Sequence, residues 1–447
     1  MALDIQRIPD AFYLGLFKSA GDIFAGAEQT QESNGEIAKI LAGRTPAGLT
    51  AGQTAQLLRL VRSSPSPDLR RQVLDASRSL RRKIFGSAVA TMVPIEVTSF
   101  CASTCRFCGW RADNGDMVRL SITEAAIREQ ARILAKKGFS HFEIAGGDDL
   151  KLLQDHLPGL VAGLKEETRA INPEARVSIC LVPMHEHNYR ALKDKGLDCV
   201  LTWQETYCEE LYNHHIPSGP KAWGVDGNLK LQKKSDRSAG FLHRMQSQEL
   251  AIRAGLQAGM GAMIGLAKVT EADILSVVMH GRKLIDTYGD EVAPLIVGMP
   301  AWNAILTTGT DNRSSDEFDF DTEGNFELIA AIYLLAFPDR RAWIFANGRV
   351  PPDIQTNCVE TASCFTSTLV KIAPGAYLDL SDGVPDGMFE RTRGVAVKDL
   401  TPEKVLSGEQ FMHYFDSHEN FVGYFEGRGM NVVSCRSLLP IEALAPA

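Results

Sequence analysis

The sequence lacks the features that mark membrane, secreted and nucleic-acid-binding proteins. No apolar run is long enough to span a bilayer, and the N-terminus has neither the basic start nor the apolar core of a signal peptide. The formal net charge of −8 gives no electrostatic reason to expect nucleic acid or an anionic membrane as a partner. We therefore expect a cytoplasmic protein that binds neither.

Cysteine is scarce, and nine residues in 447 are too dilute for a disulfide scaffold. Three of them nevertheless lie close together, Cys101, Cys105 and Cys108, in the pattern C-x3-C-x2-C. Three thiolates on one loop can bind three irons of a 4Fe–4S cube, which normally takes four cysteines, and leave one iron open. A zinc knuckle and buried free thiols are the alternatives. Zinc would need a fourth ligand nearby, and the nearest downstream histidine is His141.

The rest of the composition is that of an ordinary globular protein, with 45% hydrophobic and 23% charged residues. Up to about residue 88, apolar residues recur at helical spacing and predict helices at 10–27, 34–42, 50–61 and 69–85. The third of these begins with a possible capping residue, Thr50.

The following region alternates β-rich runs with helical patterns such as 123–137, 154–167 and 242–258, which is typical of repeated βα units and a parallel sheet. The candidate strands are 94–98, 140–145, 177–182, 198–203, 261–266, 294–298, 341–346 and 364–370. Eight strands favour an α/β fold with a (βα)8 TIM-type barrel, and six would allow a partial one.

We predict three parts of the chain. They are an N-terminal helical extension at 1–88, a barrel at 89–395 and a C-terminal cap at 396–447. The polar stretches 213–240 and 310–325 are expected to be long excursions at the barrel mouth.

The cysteine loop directly follows the first predicted strand, and Phe107 precedes its last cysteine. This combination resembles the signature of the radical S-adenosylmethionine (SAM) superfamily. The resemblance implies that Cys101, Cys105 and Cys108 bind a 4Fe–4S cluster whose open iron is chelated by SAM, beside Phe107. One electron would cleave the sulfonium, and the released 5′-deoxyadenosyl radical would abstract hydrogen from a substrate. A flavodoxin or ferredoxin is then implied as electron donor.

Further motifs extend the resemblance, and two of them, Q-E-T-Y at 204–207 and S-G-P-K at 218–221, resemble one branch of that superfamily, the aromatic amino-acid lyases of thiamine synthesis and hydrogenase-cofactor assembly, with tryptophan lyase as a cousin. Gly146-Gly147-Asp148 is similar to the Gly-Gly-Glu motif that holds the SAM amino group, with Asp in place of Glu. Without the resemblance, it is a β-to-α turn with an Asp N-cap. Gln204-Glu205 begins a Q-E-T-Y motif, and the resemblance implies that Glu205 accepts hydrogen bonds from the SAM ribose.

Three more residues are assigned by the same resemblance. Arg244 would pair with the SAM carboxylate, since a guanidinium can bind a carboxylate bidentately. Ile264, on the predicted strand 261–266, would contact adenine. Lys221 ends an S-G-P-K motif of the branch, and as an isolated residue it would be solvated. Arg244 and Glu205 would likewise be read as surface charges, and Ile264 as a buried strand residue.

The sequence identifies the residues that would contact the substrate less specifically than those of the cofactor site. Arg349 follows the seventh predicted strand, where the lyases have an arginine that binds the substrate carboxylate. Trp302 and Asn303 follow the sixth, and would offer a flat apolar wall and an amide. A core tryptophan and a surface arginine are the alternatives.

Two absences narrow the reaction. The C-terminal tail offers only Cys435, so the second cluster of the hydrogenase-cofactor lyase is not expected. Cys180 is the one cysteine placed on a strand as in biotin synthase, which disfavours sulfur insertion. The remaining cysteines are interpreted as buried or incidental thiols: Cys199, Cys208, Cys358 and Cys364.

The resemblance implies a radical SAM enzyme of the lyase or mutase type that abstracts hydrogen from a small, amino-acid-like carboxylate. Carbon–carbon cleavage or a carbon-skeleton rearrangement would follow. The alternatives are an enzyme akin to methylornithine synthase, a maturase of a metallocofactor, or an iron–sulfur protein that does no chemistry on SAM.

Overall fold

The computed structural model describes residues 6–27, 34–44, 48–62, 67–232, 237–266, 271–289, 293–302, 325–408 and 417–439. In those ranges, no helix combines the length and the apolar character that crossing a membrane requires.

The described residues form strands and helices that alternate over most of the chain. The strands are β1 (Ala88–Thr98), β2 (Arg119–Ile122), β3 (His141–Gly146), β4 (Arg176–Cys180), β5 (Cys199–Glu205), β6 (Gln257–Ala262), β7 (Leu295–Gly298), β8 (Ala342–Ala346), β9 (Phe365–Ser367), β10 (Phe389–Arg393) and β11 (Asn431–Val433). The helices before β3 are α1 (Asp10–Ala27), α2 (Asn34–Ala42), α3 (Ala51–Arg62), α4 (Pro67–Phe85) and α5 (Glu124–Lys136).

The later helices mostly link consecutive barrel strands. They are α6 (Leu150–Asp155), α7 (Leu157–Ile171), α8 (Glu186–Asp194), α9 (Glu209–His215), α10 (Pro220–Trp223), α11 (Arg237–Met245), α12 (Ser247–Arg253), α13 (Glu271–Tyr288), α14 (Asn325–Ala336), α15 (Pro352–Thr361), α16 (Pro402–Leu406) and α17 (His418–Glu426).

Eight parallel strands close into a barrel in the order β1-β3-β4-β5-β6-β7-β8-β9, because β9 pairs back onto β1. Most of their residues are buried on both faces, as expected for a parallel sheet covered by helices. The predicted complete TIM-type barrel is confirmed. Loops after the strands therefore meet at one end of the barrel, where such folds place their active sites.

The strands outside the barrel attach the C-terminal part of the chain to β1. β2 pairs antiparallel with the end of β1, and β10 pairs antiparallel with β2. β11 pairs parallel with the start of β1. These three short strands were missed in the sequence, where three to five residues give little periodicity. The boundaries at residues 88 and 395 stay predictions.

The N-terminal helices pack on the barrel's outer helices, with α1 against α13. A buried carboxylate, Glu249 on α12, accepts hydrogen bonds from the Ile8 amide at 2.7 Å and the Tyr13 hydroxyl at 2.9 Å. Thr50 caps α3 as predicted, because its hydroxyl accepts from the Gln53 amide while the Gln53 side chain accepts from the Thr50 amide.

The strand predicted at 261–266 is wrong in its bounds, because β6 occupies 257–262 and Ile264 lies beyond its end. The predicted helix 242–258 is also interrupted, since α12 ends before Gly255, whose φ of +76° suits the end of a helix. Two glycines obscured the strand. A Cβ at Gly259 would lie 2.1 Å from Leu201, and one at Gly261 would lie 2.3 Å from the Gly298 oxygen.

Candidate active site

The three cysteines of the predicted cluster lie on the loop that follows β1, at the carboxyl-terminal end of the barrel. Cys105 is buried, and Cys101 and Cys108 are half-buried. The amides of Ser103 and Asp148 both donate to the Cys101 sulfur at 3.4 Å. In iron–sulfur proteins, such hydrogen bonds to the cysteine sulfurs tune the reduction potential of the bound cluster.

Burial raises the pKa of all three thiols, and for Cys101 the neighbouring Asp148 carboxylate raises it further. A thiolate at these positions is therefore stable only beside a bound cation. Across the described ranges, no three His, Cys, Asp or Glu side chains are grouped as ligands of a single metal ion. A 4Fe–4S cube binds each thiolate to a different iron, so its ligands need not meet at one point. The three cysteines fit that group.

The segment that carries Cys101, Cys105 and Cys108 is here called the cluster loop. One buried cation, Arg119 on β2, holds it in place, and this side chain is 1% exposed. Its guanidinium donates to four main-chain carbonyls: to Ser99 and Trp110 at 2.6 Å, to Arg111 at 2.6 Å and to Asn114 at 3.0 Å. These carbonyls belong to the residues before and after the three cysteines. Arg119 therefore fixes both ends of the loop, and it was not singled out in the sequence.

The Gly-Gly-Asp segment at the end of β3 packs directly against the cluster loop. A Cβ at Gly147 would lie 2.2 Å from the Phe100 oxygen, so glycine is required here by the loop and not only by a ligand. The Asp148 carboxylate accepts a hydrogen bond from the Ser103 hydroxyl at 2.5 Å. Asp149, and not Asp148, caps α6, so the alternative N-cap role for Asp148 is wrong.

The C-terminal segment reaches the same loop. Arg391 on β10 pairs with the Asp149 carboxylate and lies over the Phe100 ring, 4.4 Å from its centroid. The Trp110 indole donates to the Gly408 oxygen at 3.1 Å. Of these two contacts, only the one at Gly408 involves the predicted cap at 396–447, because Arg391 lies before its predicted boundary.

A buried group of charges lies beside the loop at the end of β5. Glu205, with a φ of +69°, receives the Lys221 ammonium at 2.5 Å, and the Arg244 guanidinium is 3.4 Å away. Arg244 also donates to the Trp203 carbonyl. Burial is the largest single effect and lowers the pKa of Lys221, but the nearby acidic groups, Glu205 first among them, together raise that pKa above its ordinary value, so Lys221 stays charged. The reading of Lys221 as a solvated residue is wrong.

A cavity of about 210 Å³ opens beneath the loop, inside the barrel mouth. Its lining includes six of the residues predicted for the site: Phe107, Cys108, Gly146, Glu205, Trp302 and Arg349. The structure therefore brings the cluster loop, the Glu205 group and the predicted substrate residues to one place.

Other predicted residues lie behind that surface. Gln204 is buried, and its amide donates to the Thr206 carbonyl at 3.4 Å. Ile264 accepts a main-chain hydrogen bond from Trp302 at 2.9 Å and so positions the tryptophan. Asn303 lies outside the described residues. The roles predicted for these residues stay predictions.

Two carboxylates in the cavity were missed in the sequence, Glu96 on β1 and Glu143 on β3. Every second residue of β1, from Met92 through Pro94 to Glu96, faces the cavity, as does Glu143 with Ala145 on β3. Acidic residues at barrel-facing positions of buried strands were the signal that could have found them.

Burial raises the pKa of Glu96 to about 7, and it raises that of Glu143 to about 8 with a further contribution from the Glu96 charge. Arg349 lowers both values by a smaller amount. The cavity is therefore a water-poor site in which two acids and one guanidinium interact.

Comparison with known proteins gives the family of this site. Residues 95–279 match the family model described as the Radical SAM superfamily. The chain is 29% identical over 211 residues to 2-iminoacetate synthase of Escherichia coli (strain K12), which covers 47% of this chain and 50% of that protein. Residues 95–279 therefore form a radical SAM domain. A radical SAM domain implies a 4Fe–4S cluster and SAM as cofactors.

A second curated relative is similar over part of its length, and a solved structure shares the fold. The chain is 25% identical over 196 residues to the [FeFe] hydrogenase maturase subunit HydE of Thermotoga maritima, covering 44% of this chain and 49% of that one. The structure of the FeFe-hydrogenase maturase HydG from Carboxydothermus hydrogenoformans matches with a TM-score of 0.73 at 18% identity, over 96% of this chain and 86% of that one. The chain spans about half the length of the curated relatives it matches.

Replacing Arg119 tests the four-carbonyl clamp. Arg119→Gln should lower the free energy of unfolding of the cluster-free protein by roughly 2–4 kcal/mol, because buried carbonyls lose charged donors. Iron bound after anaerobic reconstitution should fall as well. Arg393→Gln, an exposed residue opposite Arg119 on β10, is the control and should change neither quantity. Equal iron content in the two variants would contradict the clamp.

The raised pKa values predict a pH-dependent stability. The protons bound by Glu96 and Glu143 stabilise the fold below the ordinary value of 4.5, and that stability is lost as the pH rises toward about 7 and 8. The free energy of unfolding is measured in urea for the cluster-free wild type and for Glu143→Gln. The value for Glu143→Gln minus that for the wild type should therefore grow from pH 5 to 8.5. The growth is at most about 1.4 kcal/mol per pH unit. A difference independent of pH would show that Glu143 titrates normally.

Proposed function

We propose that the protein is a radical SAM enzyme that abstracts hydrogen from a small amino-acid-like carboxylate and so cleaves or rearranges its carbon skeleton. The observation that carries the proposal is the three-cysteine loop above a cavity with an arginine in its wall. The match to 2-iminoacetate synthase supports the lyase type of reaction. The whole chain's activity is inferred, since only about half of that relative is matched.

Each cofactor has a set of residues in the proposal. Cys101, Cys105 and Cys108 bind the 4Fe–4S cluster, which with SAM would supply one-electron cleavage and a primary carbon radical. The SAM-binding residues are Phe107, Gly146, Gly147, Asp148, Gln204, Glu205, Arg244 and Ile264. Of these, Phe107, Gly146 and Glu205 face the cavity. Glu205 accepts hydrogen bonds from the ribose, and Arg244 binds the carboxylate.

The substrate would lie deeper, between Trp302 and Arg349. Arg349 binds its carboxylate, and Trp302 offers an apolar wall whose indole nitrogen is buried. Asn303 is proposed to add an amide. The closed barrel and its aromatic lining exclude water and stray hydrogen donors from a reactive radical. A flavodoxin or ferredoxin supplies the electron.

A metallocofactor maturase is the second candidate, favoured by the likeness to HydG over most of both chains and to HydE over about half. An iron–sulfur protein without SAM chemistry is the third. A product assay with candidate amino acids separates the lyase reaction, which shortens the carbon chain, from a rearrangement of the methylornithine-synthase type, which returns an isomer of the input.

Anaerobic reconstitution tests the cofactors. The wild type should bind about four irons per chain and release 5′-deoxyadenosine from SAM when dithionite is added. The variant with all three loop cysteines changed to alanine should do neither, whereas Cys208→Ala should behave as the wild type. Iron retained by the triple variant, or no 5′-deoxyadenosine from an iron-loaded wild type, would refute the proposal.

Glu205 gives a sharper test of the SAM site. Glu205→Gln removes the charge that faces Lys221 and should weaken SAM binding by roughly 10- to 100-fold, because a charged acceptor is lost. Equilibrium dialysis of labelled SAM on the reconstituted protein measures this. Glu210→Gln, an exposed carboxylate on α9, should bind as the wild type does. Unchanged affinity in Glu205→Gln would remove Glu205 from the SAM site.

A further inference from the structure

Glu96 and Glu143 form a pair of carboxylates on neighbouring strands, which we call the acidic wall. In the parallel register of β1 and β3, Glu143 lies opposite Pro94, two residues before Glu96. Residues two apart on a strand face the same side, so both carboxylates line the same cavity. Their exposed fractions are 4% and 7%.

Each acid has an oxygen that nothing satisfies within the described part of the chain. Glu96 Oε2 and Glu143 Oε1 are buried without a hydrogen-bond partner. Leaving such atoms unpaired in a buried place costs free energy, so a ligand in the cavity that donates hydrogen bonds to them would be stabilised. The cavity that they face also contains the Arg349 guanidinium.

We propose that the acidic wall binds the ammonium group of the substrate while Arg349 binds its carboxylate. The inference rests on the proposed function and narrows its substrate class to molecules that carry both groups, such as α-amino acids. An ammonium has three donors and can satisfy both orphaned oxygens at once. Desamino acids of the same shape would leave both oxygens unpaired and would be rejected.

The charges of the cavity match such a zwitterion. With their raised pKa values of about 7 and 8, Glu96 and Glu143 together retain a proton near neutral pH, which leaves about one negative charge to face the ammonium. Arg349 supplies one positive charge for the carboxylate. The bound amino acid would therefore enter a water-poor cavity with both of its charges compensated.

Binding to the reconstituted wild type with SAM, without reductant, tests the inference. Labelled L-tyrosine, L-tryptophan and L-lysine are dialysed against the protein, each beside its desamino analogue: 3-(4-hydroxyphenyl)propionate, indole-3-propionate or 6-aminohexanoate. At least one amino acid should bind, and its analogue roughly 10- to 100-fold more weakly. Equal binding within every pair, or binding of none of the six, would overturn the inference.

Matched variants test whether Glu96 and Glu143 produce the preference for the amino acid over its desamino analogue. Glu96→Gln and Glu143→Gln keep the shape of the side chain and should each reduce the preference for the amino acid over its analogue. The double variant should abolish it. Glu166→Gln, whose side chain is 72% exposed on α7, is the control and should keep the full preference. A preference that survives in the folded double variant, checked by circular dichroism, would also overturn the acidic wall.

This result is separable from that of the proposed function, since the dialysis needs no turnover. Release of 5′-deoxyadenosine without any preference for amino acids would refute the role of the acidic wall and leave the radical SAM activity supported. A preference without SAM cleavage would support the acidic wall as an amino-acid site and refute the proposed activity.

Discussion

The arrangement of the site depends on the loop that follows β1, because its three cysteines must present their sulfurs to one group at a fixed place. The eight residues from Cys101 to Cys108 cannot fix the three sulfurs without support from the rest of the fold. Arg119 ties four carbonyls around the loop, and Gly147 lets β3 approach it more closely than any side chain would allow. The closed barrel turns this local constraint into a defined position above the cavity.

Beside the loop, the buried charges form two groups. Glu205 lies between two cations, Lys221 and Arg244, so this group is internally compensated and suits a polar nucleotide. Within the described ranges, Glu96 and Glu143 each keep one buried oxygen without a hydrogen-bond partner, and they share the cavity with Arg349. The first group is complete without a ligand, whereas the second leaves acceptors that a ligand can satisfy. In the proposed function, the first group therefore belongs to the cofactor and the second to the substrate.

The sequence predicted the barrel and the cysteine loop because both have strong local patterns: apolar runs at regular spacing and three closely spaced thiols. It misplaced β6, since Gly259 and Gly261 weaken a strand pattern and are explained only by the tight contacts of the folded barrel. It missed Arg119 and the acidic wall for a related reason. A lone charged residue in a strand gains its role from partners far along the chain, which no local spacing shows. The reading of Lys221 as a solvated residue was wrong for the same reason.

The central claim is that the three thiols leave one iron of a cube accessible to SAM. Electron paramagnetic resonance of the reduced, reconstituted wild type measures this most directly, because a ligand on that iron changes its electronic environment. We expect the signal of a reduced 4Fe–4S cluster whose g values shift when SAM is added. A colourless protein, or a spectrum that SAM leaves unchanged, would contradict it.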